Sequence, residues 1–228
     1  MRETAIGEHV EVHTPGAVRN WRDFGKEVAI IVLGVLIALA GDEAVQALTW
    51  RHEVAIVRDS LDDELSFALF AAEERVQIAD CQRRTLDRLD EIADTSRGTL
   101  VVRNAPVTRN RVWGSAAWDA AVASGAIAHM AHDERNTYAV LFSFVRMFRE
   151  LNLRQEELWA TVSAYRRPRP LTETSRERFV EAVSQLRALT GTMNLAAQQF
   201  VEQAKPLQIQ LSPEESRQLR QPLNCPMP

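Results

Sequence analysis

The sequence lacks the short motifs that mark the common nucleotide-binding and hydrolytic enzymes. It contains no phosphate-binding loop, no GxGxxG run and no nucleophile elbow, so no turn that would position a phosphate or an activated serine is indicated. Adjacent carboxylates occur at Asp62-Asp63-Glu64 and Glu73-Glu74. Neighbouring residues point to different faces of a helix, and we interpret these acids as solvated surface. We therefore expect a protein that is not an enzyme and that uses no cofactor.

The chain also has no excess of basic residues and little cysteine. Lysine and arginine number 27 against 31 acidic residues, for a net charge of −4, so no nucleic-acid partner is indicated. The two cysteines, Cys81 and Cys225, are far apart and match no metal-ligand spacing. They are candidates for a disulfide if the domain faces an oxidising compartment, and the alternative is two unrelated thiols.

The cluster that most resembles a metal site is His129-Met-Ala-His132-Asp-Glu134. Histidines three residues apart share a helix face, and Glu134 follows within reach of them. The spacing is not HExxH, however, and a third firm ligand is missing. Asp133 as the N-cap of a following helix would explain the acids without a metal. We therefore expect no metal, with His129, His132 and Glu134 as the residues to examine.

One stretch has neither charge nor proline: the 14 residues from Val28 to Gly41, VAIIVLGVLIALAG. At 1.5 Å per residue it covers roughly 21 Å, against a bilayer core of about 30 Å. Extension to Leu48 restores the length and places Asp42 and Glu43 near one interface, where a charge costs less than at the membrane centre. We interpret residues 21–50 as a transmembrane anchor.

Aromatic and basic residues flank this segment. Trp21 and Trp50 are 29 positions apart, or roughly 43 Å of helix, which matches the bilayer with its headgroups. Indole rings favour that interface because one edge is apolar and the N–H needs a partner. Trp21, Lys26, Trp50 and Arg51 are therefore the predicted membrane-interface residues.

Two other interpretations remain open. In a cleaved signal peptide, Val28 to Ile37 would be the apolar core and Ala38-Leu39-Ala40 the cleavage site, but the peptide would be longer than usual and its leading segment carries five acids. The third interpretation is a buried helix of a soluble domain, which the flanking tryptophans disfavour.

The basic residues also predict an orientation. Arg19, Arg22 and Lys26 precede the apolar segment, while Arg51 and Arg58 follow it among many acids. Only the basic residues near a span set its direction. We expect the N-terminus in the cytoplasm, residues 1–20 as a flexible tail, and the bulk of the chain in the periplasm, at the bacterial inner membrane.

After Trp50 the apolar residues recur at steps of three and four, which predicts a helix that Gly98 closes. A short helix is expected over 115–124 with Gly125 as its cap, and a long one over 132–165. In a further helix, Phe179, Leu186, Met193 and Phe200 fall seven apart, which is typical of a bundle seam. Thr174 and Glu177 fit its capping box, Pro206 ends it, and Ser212 opens a last short helix.

These elements predict an all-α fold, with one N-terminal transmembrane helix followed by an antiparallel bundle of about four helices. The expected organisation is a tail over residues 1–20, the anchor over 21–50, the bundle over 51–205 and a C-terminal tail over 206–228. Trp113, Trp118 and Trp159 are expected in the core, with a ligand pocket between the helices as the alternative.

Two parts of the chain resemble a group of single-pass bacterial membrane proteins known as a domain of unknown function. The first is the segment WRDFGKEVAIIVLGVLIALAGDEAVQALTWR. The second is the block from Trp118 to Ile127, WDAAVASGAI, whose short helix ends in Ser-Gly before the helix of Tyr138. The similarity covers the anchor and the middle third of the chain. Asp42 and Glu43 stand where amides are frequent in that group. The resemblance implies an envelope protein with one anchor and supplies neither catalytic residues nor a substrate.

The expected function is a membrane-anchored helical bundle that acts as a non-enzymatic interaction or scaffold module of the bacterial envelope. Its expected partners are membrane lipid, an unidentified protein, and a second copy of the chain, since Gly34 and Gly41 allow close approach of two anchors. The alternatives are a periplasmic ligand-binding, sensor-like module and a secreted helical protein released by signal-peptide cleavage.

Overall fold

The computed structural model of the chain describes residues 21–103 and 111–221. Within those ranges the fold is all-α, as predicted. It has five α-helices: α1 Trp21–Thr95, α2 Ala116–Ser124, α3 His132–Ser163, α4 Glu173–Ala204 and α5 Pro213–Leu219. Short 3-10 turns follow α2, α3 and α4. Two antiparallel two-residue strands, β1 Thr99–Leu100 and β2 Arg169–Pro170, join the ends of the long helices.

The chain divides into two compact units, one that ends at Thr49 and one that begins at Trp50. The described part of the first unit is helical, and every residue from Trp21 to Thr49 is exposed. The second unit holds the whole buried core of the described residues, which begins at Val54. Residues 21–49, the described part of the first unit, are therefore a helical segment without a buried core of its own.

Within the second unit, α1 and α3 run in the same direction. Arg58 of α1 pairs with Glu134 of α3, and Arg75 of α1 donates to Gln155 of α3. The residue numbers on the two helices rise together, which only parallel helices allow. Because the first and third helices of an up-and-down bundle also run parallel, this pair does not contradict the predicted antiparallel bundle.

Parallel helices require the chain to return along the bundle between them, and residues 111–117, which we call the return segment, contact α1 first at Glu74 and then at Glu64. Val102 N donates to Tyr165 O at one end, Arg111 then reaches Glu74, and Ala116 N reaches Glu64 further back along α1. Parallel neighbours in a helix bundle need such a long crossover, whereas a short loop joins antiparallel ones.

Helix α4 is antiparallel to both of its long neighbours, as predicted. Its Arg176 donates to the carbonyl oxygens of Ala93 and Ser96 at the end of α1, and its Arg187 pairs with Asp87 and Asp90. Arg176 thereby satisfies two carbonyl groups that the last turn of a helix leaves without a partner. The bundle thus has three long helices, with α2 as a short fourth.

The predicted seam of α4 is confirmed, because Phe179, Leu186, Met193 and Phe200 are all fully buried. The caps were predicted less accurately. Gly125 ends α2 in the left-handed conformation, as expected. The capping box of α4 is formed by Thr172 and Ser175, not by Thr174 and Glu177, because the chain leaves its extended β2 conformation two residues earlier than the motif suggested.

Helix α3 begins at His132, so Asp133 lies in its first turn and not at its N-cap. At the C-terminal side, Ser212 and Glu215 form the capping box of α5. Residues beyond 205, expected to be a tail, contact the bundle: Ser66 of α1 donates to Gln210 O and to Glu215.

The buried seam of α4 gives the first test. Leu186 is 0% exposed and Leu195 of the same helix is 57% exposed. We expect Leu186→Ala to lower the free energy of unfolding by about 2–5 kcal/mol, because it leaves a cavity in the core. Leu195→Ala should change it by less than about 0.5 kcal/mol. Urea denaturation of both variants checks this, and equal effects would contradict the assigned core.

Candidate functional site

The core of the bundle is interrupted by a layer of polar side chains between two hydrophobic clusters. One cluster contains Leu65 and Phe200, and the other contains Leu89 and Leu186. Between them, each long helix contributes buried polar residues: Arg75 of α1, Asn152 and Gln155 of α3, and Thr190 of α4. We call these four residues the polar layer.

The polar layer lies at positions where the helix pattern calls for apolar residues. On α1 one series of buried residues follows steps of four and three up to Arg75, and buried residues of the same stripe resume at Leu86: Leu61, Leu65, Ala68, Ala72, Arg75, and later Leu86, Leu89 and Ala93. A strict four-three repeat marks the face of a helix that points into a bundle. The position of Arg75 on this face of α1 therefore directs its side chain into the bundle.

Among the described residues, the hydrogen-bond partners of Arg75 are neutral groups. Its Nη2 lies 3.3 Å from Gln155 Oε1 and 3.2 Å from Met193 Sδ. Gln155 Nε2 in turn donates to Thr190 Oγ1 over 3.1 Å. Among the described residues no acceptor reaches Arg75 Nε, although the side chain is only 9% exposed. Burial lowers the pKa of the Arg75 guanidinium to about 10, so the group is charged at neutral pH.

Beside the polar layer, Glu74 and Arg111 form a bidentate ion pair. Arg111 Nε and Nη2 donate to the two carboxylate oxygens of Glu74 over 2.8 and 2.9 Å, and Glu74 is only 5% exposed. The Arg111 guanidinium also lies 4.8 Å above the ring of Phe70, and its carbonyl accepts from Asn152 Nδ2 over 2.9 Å. These contacts hold the return segment against the bundle.

A cavity of about 40 Å³ lies where these groups meet. Its lining is mixed polar and apolar: Ala71, Glu74, Arg75, Ile78, Gln82, Arg111, Trp113, Asn152 and Gln155. The charged groups among these residues are two guanidiniums and one carboxylate, a net charge of +1. Gln82 Oε1, like Arg75 Nε, is buried without a hydrogen-bond partner in the described structure. A space of this size holds water or a small ion.

Sequence reasoning singled out Trp113 but missed Arg75, Gln82, Asn152 and Gln155. Charged and amide side chains are mostly exposed in proteins, so their residue types gave no reason to expect them in the core. The available signal was the spacing, which places these residues on the buried stripes of α1 and α3.

The residues of the expected metal cluster go to different partners. The His129 ring stacks on Trp50, with ring centroids 3.8 Å apart. His132 lies within hydrogen-bond distance of Arg135 and Asn136, and Glu134 pairs with Arg58. No group of three metal-ligating side chains occurs in residues 21–103 and 111–221.

The predicted interface residues differ in their surroundings. Trp21 is 86% exposed, and Lys26 pairs with Asp23 over 3.2 Å. Arg51 is exposed, whereas Trp50 is half-buried against His129. A role at a membrane interface stays a prediction for all four.

Cys81 takes part in a disulfide. Cys225, the candidate partner in the sequence, lies outside the described residues, so the pairing stays a prediction. Trp113 and Trp159 are buried in the core as expected, and Trp118 stacks on Phe142 at its margin.

The interpretation of the adjacent acids as solvated surface is wrong for three of them. Glu74 is buried, as described above. The two oxygens of Glu64 accept from Ala116 N and Ala117 N, both over 2.9 Å, and so satisfy the first turn of α2. A Cβ at position 114 would lie 2.7 Å from Glu64 Oε1, so a larger residue there requires this carboxylate to shift.

Asp62 is the third of these acids, and it accepts a 2.6 Å hydrogen bond from the Tyr138 hydroxyl. Burial raises the pKa of the Asp62 carboxyl, although the Tyr138 hydroxyl and the nearby Arg58 act against that rise. Burial, followed by the hydrogen bond to Asp62, raises the pKa of Tyr138. The native state therefore favours the protonated form of Asp62 more than the unfolded chain does.

This shift predicts a pH dependence. Because the native pKa of Asp62 lies above the unfolded value, its contribution to stability falls as pH rises through the interval between the two values. Asp62→Asn keeps an acceptor for Tyr138 without the charge, so we expect a smaller loss of stability between about pH 4 and 7. Urea unfolding across that range is the measurement. Asp63→Asn, at the exposed neighbour, is the control, and an identical change in both variants would refute the assignment.

Comparisons of the chain with protein-family models, with curated proteins and with solved structures find no match. The resemblance drawn from the sequence therefore stays a prediction, and the function has to be argued from the geometry.

Proposed function

We propose that the protein is a single-pass, membrane-anchored helical bundle that serves as a non-enzymatic interaction or scaffold module of the bacterial inner membrane. One observation carries this proposal. The apolar window of α1 has a mean hydropathy of 2.3 and none of it is buried. Large apolar side chains such as Ile30, Leu36 and Ile37 are 57–69% exposed, and a bilayer is the environment that such a surface fits.

The energetics favour insertion. The segment from Val28 to Leu39 contains nine valine, leucine and isoleucine residues. At about −0.3 to −0.6 kcal/mol each near the membrane centre, they contribute roughly −3 to −5 kcal/mol. Asp42 and Glu43 lie beyond this segment, toward the region where charges cost less. Gln46 Nε2 also donates to Asp42 over 2.9 Å, which satisfies part of that carboxylate.

The two rival interpretations of the segment fit less well. A core helix of a soluble domain would be mostly buried, whereas this window is wholly exposed. In a signal peptide, cleavage after Ala40 would cut within α1, since residues 38–41 are helical. The resemblance to single-pass membrane proteins points the same way as these two arguments.

The scaffold role is supported by how the second unit is held together. Contacts between distant parts of the chain fix the register of its helices: Arg58 with Glu134, Arg187 with Asp87 and Asp90, and Glu64 with the start of α2. Side chains used in this way are positioned for structure. A bundle of this kind is suited to presenting a fixed surface next to a membrane.

Placing charges in the segment tests the anchor. Each arginine near the membrane centre costs about 2.5–3.5 kcal/mol. Leu33→Arg with Ile37→Arg should therefore reverse the sign of insertion and release the protein into the carbonate-soluble fraction. The matched control is Val140→Arg with Leu153→Arg, which changes exposed apolar residues of α3 and should leave the protein in the membrane. Full-length protein that is carbonate-soluble without any change would contradict the proposal.

The anchor also offers a surface for a second copy. No atom lies within 4 Å of a Cβ built at Gly34 or Gly41, and seven residues of helix place both on one face. Small residues on one face let two membrane helices approach closely. We propose that two anchors associate through this face.

Gly34→Leu tests that association. Loss of close packing worth about 1.4 kcal/mol would weaken the dimer tenfold. The control is Gly25→Leu, since nine residues at 100° each place Gly25 on the opposite face of the helix. Sedimentation of the full chain in detergent at several dilutions measures the dissociation. A monomer at every concentration would refute self-association and would not affect the proposal that the segment is a membrane anchor.

A further inference from the structure

The cavity at the polar layer is positively charged and enclosed by groups that do not neutralise it. Arg75 and Arg111 together carry two positive charges against the single carboxylate of Glu74. The ion pair already occupies Glu74 with Arg111. Arg75 is left with an amide oxygen and a thioether sulfur as its recorded acceptors.

A buried charge without a partner is costly. The removal of an ion from water carries a large free-energy penalty, which a neighbouring opposite charge offsets. Arginine does not avoid this penalty by losing its proton, because its guanidinium is charged throughout the physiological pH range. Some negative charge is therefore expected next to Arg75, and none of the carboxylates in the described residues forms an ion pair with it.

We propose that the cavity binds one small monovalent anion, of halide size, between Arg75, Asn152 and Arg111. Arg75 Nε has an unused donor there. Asn152 Nδ2 uses one N–H for Arg111 O, and its amide has a second one. A water that stays bound to the anion would donate to Gln82 Oε1, the second atom of the cavity lining that is buried without a partner.

The size of the cavity sets the class of ligand. At about 40 Å³ it admits chloride or bromide and rejects an organic anion such as gluconate. The site lies between the two hydrophobic clusters and joins α1, α3 and the return segment. Occupancy would therefore stabilise the whole bundle, and this goes beyond a scaffold that only presents a surface.

Thermal unfolding of the full chain in detergent, with sodium chloride exchanged for sodium gluconate at constant ionic strength, tests the site. Ligand binding to the native state alone raises its stability by mass action. For a dissociation constant of ~30 mM, 150 mM chloride should raise Tm by about 2–4 °C. An equal Tm in both salts would overturn the proposal.

Gln155→Glu is the decisive variant, because it places a carboxylate of nearly the same shape beside Arg75. The built-in charge replaces the anion, so Tm in gluconate should rise toward the wild-type value in chloride, and the response to chloride should disappear. Gln199→Glu makes the same change at an exposed position of α4 and should keep the full response. A response that persists in Gln155→Glu would show that chloride acts elsewhere and refute the assigned site.

A direct measurement covers the case in which Gln155→Glu does not fold. Chloride that exchanges with a protein site broadens the ³⁵Cl resonance. With the wild-type chain we expect a ³⁵Cl line width greater than that in protein-free detergent. Added bromide should remove this excess, and the Gln199→Glu variant should show the same excess as the wild type. Line width that matches protein-free detergent would mean that water alone fills the cavity, and the proposal would fail.

Discussion

The apolar surface of the first part of α1 is the constraint on which the account depends. From Trp21 to Thr49 no side chain is buried, and the free energy of leaving such a surface in water rises with its area, at about 25 cal/mol per Å². From Val54 onward the same helix supplies the core of a bundle. One helix therefore combines a segment suited to lipid with a segment suited to a protein interior.

Two different kinds of buried contact, apolar and polar, stabilise the bundle. Its hydrophobic clusters supply most of the buried apolar area, while the polar layer between them fixes which residues of the three long helices face one another. A purely apolar four-three repeat permits slipped registers, and a polar group at one core position disfavours them. Arg75, Gln155 and Thr190 act in this way. The positive charge that they bury makes the layer responsive to its ionic surroundings.

Much of the fold could be predicted from periodicity. The heptad of Phe179 and Phe200 identified the buried face of α4, and Gly125 identified the end of α2. The direct contact between the parallel helices α1 and α3 could not be predicted, because an apolar stripe reads the same in parallel and antiparallel packing. The roles of Glu64 and Glu74 could not be predicted from the sequence either, since both depend on contacts with the return segment, which is distant in the chain. Arg75 was detectable in principle, as a charged residue at a core position of an otherwise apolar repeat.

Hydrogen exchange of the full-length chain in lipid nanodiscs tests the location of the first unit most directly, since a helix exposed to water exchanges its amides much faster than one in hydrocarbon. We expect the amides of residues 28–40 to exchange as slowly as those of Leu61 to Ala72 in the buried core, on a protein whose intact mass still includes residues 21–49. Exchange of residues 28–40 within seconds, or a mass that begins near Gly41, would contradict a membrane-anchored bundle.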